Sequence, residues 1–204
     1  LIDNIEFSKH KSFINRKKVP TTGGLFFLLL IIFFYEDLNI LSFVIFFLIY
    51  LVGFFSDNIK NFSPFLRLLF QILLSFIFIY YIDIYITDVR IDFINSIFEN
   101  YIFISFLFTV FCIIVFINGV NFIDGNNLNA IGYLILIYSS IFIISIINNL
   151  NFDQAFLIKI LFFLLTIYLM NLFDKIQLGD SGCYLLGFFT AFYLINFINN
   201  NYLV

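Results

Sequence analysis

Tryptophan is absent from the 204 residues, proline occurs twice, cysteine occurs twice, and only 11% of the chain is charged. The charge deficit excludes the most. A soluble domain of this size carries roughly 25% charged residues to cover its surface. This chain has too little charge for a water-facing shell, so much of its surface must face lipid. The two cysteines, Cys112 inside an apolar run and Cys183, match no metal-ligand spacing and suit reduced or lipid-buried thiols. No signal-peptide pattern opens the chain, which starts at Leu1 rather than Met.

What is present is 63% hydrophobic, with 34 phenylalanines and a mean hydropathy of +1.08. The excess of Phe, Ile, Asn and Tyr fits the drift of an AT-rich genome, and no function is attached to it. A spanning helix needs about 20 mainly apolar residues to cross roughly 30 Å of hydrocarbon. Seven runs qualify: 23–35, 40–55, 66–86, 100–117, 129–147, 155–172 and 183–198. Backbone groups in lipid must be satisfied within their own segment, so the runs read as helices. The expected fold is an all-α, polytopic membrane helix bundle of about seven transmembrane helices, a single transmembrane domain over 1–204.

Seven crossings sort the loops onto two sides. Residues 1–22, 56–65, 118–128 and 173–182 share one side; 36–39, 87–99, 148–154 and the C-terminus share the other. The first side holds Lys9, Lys11, Arg16, Lys17, Lys18, Lys60 and Lys175, with Arg67 at a helix start. The second holds Arg90, with Lys159 at a helix start. Eight cations against two make the first side cytoplasmic, because Lys and Arg accumulate in cytoplasmic loops. The outer loops carry ordinary solvated residues, whereas the inner ones combine Asp with Gly, Asn, Pro and Ser.

Four inner segments carry candidate chemistry. The first runs from His10-Lys11 through Arg16-Lys17-Lys18 to Pro20-Thr21-Thr22-Gly23-Gly24. Its cations serve either anionic lipid or a phosphate, which Lys and Arg neutralise while Gly-Gly lets backbone come close at a helix start. In the second, Gly53 to Pro64 followed by Arg67 and Gln71, Asp57 sits just past an apolar run, where an ionisable group is a functional candidate by default. Ser63-Pro64 reads as an N-cap followed by the first helical residue. In the third, Asn118, Asn121 and Asp124 recur every three residues and share a helix face, to bind a polar ligand or to order the loops by mutual hydrogen bonds. In the fourth, Gly179-Asp180-Ser181-Gly182 sets a carboxylate on a permissive backbone just before a helix. Its oxygens suit Mg²⁺, usually held by one or two carboxylates plus substrate phosphates; a capping Asp is the plainer reading.

The order of these motifs, Pro-Thr-Thr-Gly-Gly, Gly-x-x-Ser-Asp…Ser-Pro-x-x-Arg, Asn-x-x-Asn-x-x-Asp-Gly and Gly-Asp-Ser-Gly, resembles the polyprenyl-phosphate sugar-1-phosphate transferases of the glycosyltransferase 4 family. The likeness runs from about His10 to Gly187. It implies that an undecaprenyl-phosphate-type lipid attacks the β-phosphate of a UDP-sugar, releasing UMP and leaving a lipid-diphospho-sugar for cell-envelope synthesis. It further implies a Mg²⁺ cofactor, with Mn²⁺ as an alternative, and a multi-pass place in the bacterial inner membrane. Asp57, Asp124 and Asp180 become the catalytic candidates, and Asp180 the metal ligand. Lys17, Thr21, Arg67, Asn118, Asn121 and Asp124 become the substrate-binding candidates. The implied partners are the UDP-sugar, the polyprenyl phosphate and the membrane, with no nucleic acid and a homodimer left open.

The chain departs from the family pattern at three places. Ser56 stands where the first Asp of an Asp-Asp pair is expected, Asn127-Leu128-Asn129 replaces a Gly-Leu step, and no His-rich loop follows before Val204. With the non-Met start, the expectation is a chain truncated at both ends. Ser56 also keeps open a catalytically inactive binding or assembly subunit. A transporter is disfavoured, since only Asp83 approaches a mid-membrane ionisable position. CDP-alcohol phosphotransferases share an Asp-Gly step, but theirs continues to Ala-Arg, unlike Asp124-Gly125-Asn126-Asn127.

Overall fold

A computed structural model describes residues 19–35, 39–124, 128–150 and 154–200. These form eight helices and, among the described residues, no strand. The helices are α1 (Gly23–Phe34), α2 (Ile40–Asn58), α3 (Pro64–Ile82), α4 (Asp92–Asn100), α5 (Ile102–Ile123), α6 (Asn129–Ile147), α7 (Gln154–Leu172) and α8 (Gly179–Asn200). Six of them, α2, α3 and α5 to α8, are long and apolar enough to cross a membrane. At a rise of about 1.5 Å per residue, 19 residues cover nearly 30 Å, whereas the 12 of α1 cover about 18 Å. The bundle is therefore an all-α polytopic membrane fold in which the first expected span is a short helix.

Helix α8 is its axis. Inside the bundle, 83% of the α8 span is buried, against 22–39% for the other five. The remaining long helices and α1 close a ring around it in the order α1, α2, α3, α5, α6, α7 and back to α1. Each side of α8 meets a different neighbour. Phe188 stacks edge-on against Phe78 of α3 at 5.0 Å, Phe189 meets Phe156 of α7 at 6.0 Å, and Thr190 bonds the Tyr138 hydroxyl of α6 at 3.0 Å. Lipid tails are as apolar as these side chains, so close packing rather than hydrophobicity holds the ring to its axis. Small residues permit that approach: Gly24 lies on Gly182, Gly53 on Ser181, and Gly187 on Ile117.

Several features differ from the sequence reading. The third span stops at Ile82, because Asp83 turns left-handed at φ 56°. The stretch expected as an outer loop contains the nine-residue α4, whose Phe98 packs on Phe108 of α5 at 5.3 Å. Before it, Asp88 accepts from the Arg90 N–H at 2.7 Å and the Asn95 amide at 2.6 Å. The Arg90 N–H, then the Asn95 amide, hold the Asp88 carboxyl below the usual carboxylate range. Finally, α5 runs on to Ile123 and α8 begins at Gly179, so Asn118, Asn121 and Gly179 to Gly182 lie on helix rather than loop.

Candidate functional site

The starts of α1, α3 and α8 and the ends of α2 and α5 converge. The segment before α1 pairs with the segment before α8: Gly23 N–H donates to Gln177 O at 3.1 Å, and Gln177 N–H to Pro20 O at 3.0 Å. Thr21, buried in this pairing, packs on the start of α8. There Gly179 sits at φ +67°, a left-handed turn that L side chains rarely adopt. A Cβ at this position would also stand 2.7 Å from Asp57 Oδ2. The glycine thus lets the Asp57 carboxylate close over the helix start.

Asp57 uses both of its oxygens there. Oδ1 accepts from the Asp180 N–H at 2.8 Å and Oδ2 from the Ser181 N–H at 3.1 Å. The first N–H groups of a helix have no partner within it, and its dipole favours an anion at that end. Asp57 of α2 therefore caps α8 from a neighbouring helix, and Asp180 lies inside the first turn rather than capping it. We expect Asp57→Ala to cost about 1–2 kcal/mol of stability, with Asp57→Asn about half as damaging because its amide keeps one acceptor. Thermal unfolding of the two variants side by side checks this.

Helix α3 begins with Ser63 at its N-cap and Pro64 as its first residue, as expected, although the Ser63 side chain makes no capping bond. One turn on, Arg67 reaches across the site. Its Nη1 donates to Ser56 Oγ at 2.8 Å and pairs with Asp180 Oδ2 at 3.2 Å, while the Ser56 hydroxyl donates to the same Asp180 oxygen at 2.5 Å. The Tyr184 side chain lies beside Arg67 and Ser56, on the next turn of α8. Arg67 Nε is buried with no partner among the described residues. A second polar pair lies one turn deeper, where Asn118 Nδ2 of α5 donates to Gln71 Oε1 at 2.9 Å. Gln71 is fully buried and its Nε2 has no partner among the described residues.

The structure thus gathers Thr21, Asp57, Arg67 and Asp180 at one place and ties Asn118 to it through α3. Asn121 and Asp124 follow Asn118 by one and two turns along α5, toward this same end of the bundle, with Asp124 as the C-cap. Lys17 and Gly125–Asn127 lie outside the described residues. Ser56, Gln71 and Tyr184 are the residues to which sequence reasoning gave no role here. For Gln71 a signal existed, since a spacing of four from Arg67 puts both on one helix face. No sequence signal marks Tyr184, which only the α8 register brings beside Arg67.

Among the described residues, no group of three or more His, Cys, Asp or Glu side chains is placed to hold a metal. The donor set nonetheless fits one hard cation carried largely by a ligand. Asp180 Oδ2 is taken by Ser56 and Arg67, and Oδ1 accepts no hydrogen bond among the described residues. One protein carboxylate oxygen beside a phosphate-rich ligand is a common way of holding Mg²⁺.

No curated protein matched the chain. The family model described as Glycosyl transferase family 4 matches residues 38–198, which takes in Asp57, Arg67, the α5 stripe and Asp180. With that match over most of its length and, among the described residues, six helices long and apolar enough to cross a membrane, the chain belongs to glycosyl transferase family 4 and is a membrane transferase of the phospho-sugar kind.

Proposed function

We propose that the protein transfers a sugar 1-phosphate from a UDP-sugar to a polyprenyl phosphate of the undecaprenyl type. A phosphate oxygen of the lipid attacks the β-phosphorus, the bond to the UMP oxygen breaks, UMP leaves, and a polyprenyl-diphospho-sugar stays in the membrane. The observation that carries this reading is the junction of Arg67, Ser56 and Asp180 at the end of the bundle where all four motif segments begin or end. Phosphoryl transfer asks the protein for positioning and charge neutralisation rather than covalent help. The junction offers a guanidinium with unspent donors, a carboxylate with one unspent oxygen, and a helix start fixed by Asp57.

In this reading Arg67 binds a phosphoryl oxygen, and Thr21, Asn118 and Asn121 with Lys17 surround the nucleotide-sugar. Asp124, the C-cap of α5, lies at the same end of the bundle, outside the Arg67–Ser56–Asp180 junction. Asp57 keeps Asp180 in place by holding the backbone on which it rides. Asp180 Oδ1 would hold Mg²⁺, or Mn²⁺ in its stead, which when bound neutralises diphosphate charge. The cation excess of this side supports a cytoplasmic site, and the reading puts the protein in the inner membrane of a bacterium.

The test is UMP release by membranes containing the full-length protein, across several UDP-sugars, with and without polyprenyl phosphate and Mg²⁺. Release that requires all three supports the reading. UDP-sugar binding with no release under any combination would replace it with an inactive binding subunit, the alternative that Ser56 favours.

A further inference from the structure

The Ser56 hydroxyl is used in both directions: it accepts from Arg67 Nη1 at 2.8 Å and donates to Asp180 Oδ2 at 2.5 Å. A carboxylate in its place would have no proton to give Asp180 and would repel it, whereas the hydroxyl closes this triangle without repulsion. Two consequences follow. Asp180 Oδ2 is saturated, leaving one oxygen. Asp57, the other acidic group at the junction, has both oxygens on the backbone of Asp180 and Ser181. Two carboxylates against one guanidinium give the junction a single net negative charge, and only one oxygen to offer.

We infer that Ser56 is a positioning residue that makes cation binding at Asp180 conditional on a diphosphate. With one carboxylate oxygen available, a six-coordinate cation has too few protein ligands to bind tightly by itself. A diphosphate adds oxygens for the cation and finds the unspent Arg67 donors, so each strengthens the other. Coupling of this kind is reciprocal: the cation tightens the diphosphate by the same factor. The inference rests on the proposed reading of this junction as a diphosphate site, without depending on which nucleotide or lipid is used.

Mn²⁺ serves as an observable substitute for Mg²⁺, since both favour six oxygen ligands. Its binding to full-length protein in nanodiscs is followed by electron paramagnetic resonance, alone and with inorganic pyrophosphate, after correction for Mn²⁺ bound by pyrophosphate in solution. The wild type should bind Mn²⁺ at least about tenfold more tightly with pyrophosphate than without. Ser56→Asp should bind Mn²⁺ alone roughly five- to tenfold more tightly than wild type, because a second carboxylate raises the ligand charge. Ser56→Thr, which keeps the hydroxyl, should match wild type. Equal Mn²⁺ affinity in wild type with and without pyrophosphate would overturn the inference, and needs no variant. So would a folded Ser56→Asp protein with unchanged affinity for Mn²⁺ alone. Pyrophosphate-dependent Mn²⁺ binding in a protein that turns over no UDP-sugar would sink the proposed reaction and leave this inference standing.

Discussion

Asp180→Asn should leave the bundle folded and cut the rate of UMP release by about 100- to 1000-fold, the size expected for losing one preorganised electrostatic group. The folded half of this expectation follows from how α8 starts. The helix end is satisfied by the Asp57 carboxylate acting on the Asp180 and Ser181 N–H groups, and the Asp180 side chain takes no part in that cap. An Asn side chain has the same shape and can still accept from Ser56 and Arg67. What it loses is charge: the Arg67 guanidinium loses its ion pair, and the oxygen available to a cation becomes a neutral amide atom. Arg67 would then be free to clamp the diphosphate in its resting state, adding uniform binding without lowering the barrier. The variant should therefore show a fall in kcat with little rise in KM for the UDP-sugar, at an unchanged unfolding midpoint. Full activity in this variant would remove Asp180 from the chemistry.

The membrane architecture was legible because its cause is local. Each span is a run of about 20 apolar residues, and the Lys and Arg distribution distinguishes the two sides without any knowledge of packing. The central place of α8 was not read, although a trace of it was present. Its hydropathy is 1.5 against 2.0–2.5 for the other spans, and it carries Gly182, Gly187 and Thr190. A helix surrounded by protein can hold such residues, and one facing lipid gains little from them. Helix α4 is not marked in the sequence, because nine amphipathic residues are far too short to resemble a membrane span. At the site, Asp57, Arg67 and Asp180 stood out as charges beside apolar runs. Their connections did not, because a bond from Asp57 to the backbone 123 residues away depends on the crossing of α2 and α8. The same crossing gave Ser56 its bridging place, which no residue type or spacing announces.

That crossing is also where the fold is most sensitive to one substitution. A Cβ at Gly53 would stand 2.4 Å from Ser181 Cα and 2.6 Å from Asp180 O, both backbone atoms that no side-chain rotation can move. Van der Waals contact between carbons needs about 3.5–4.0 Å, so α2 and α8 would have to separate by more than about 1 Å. Helix propensity works the other way, since Ala is favoured over Gly by up to about 1 kcal/mol in a helix interior. Overpacking of a filled site costs about 1–3 kcal/mol and occasionally more, and here α8 cannot yield freely because Gly24 and Ile117 press on it from other directions. Packing wins, and Gly53→Ala should lower the unfolding midpoint. Function should suffer more than stability, because Ser56 and Asp57 are three and four residues along the same helix. A separation of that size stretches the 2.5 Å and 2.8 Å bonds that place Asp180. Gly119→Ala supplies the control: nothing lies within 4 Å of a Cβ there, so propensity acts alone and the variant should be neutral or slightly more stable. Equal midpoints and equal UMP release for the two variants would mean that α2 and α8 do not cross this closely, and that Asp57 does not hold Asp180 through the backbone of α8.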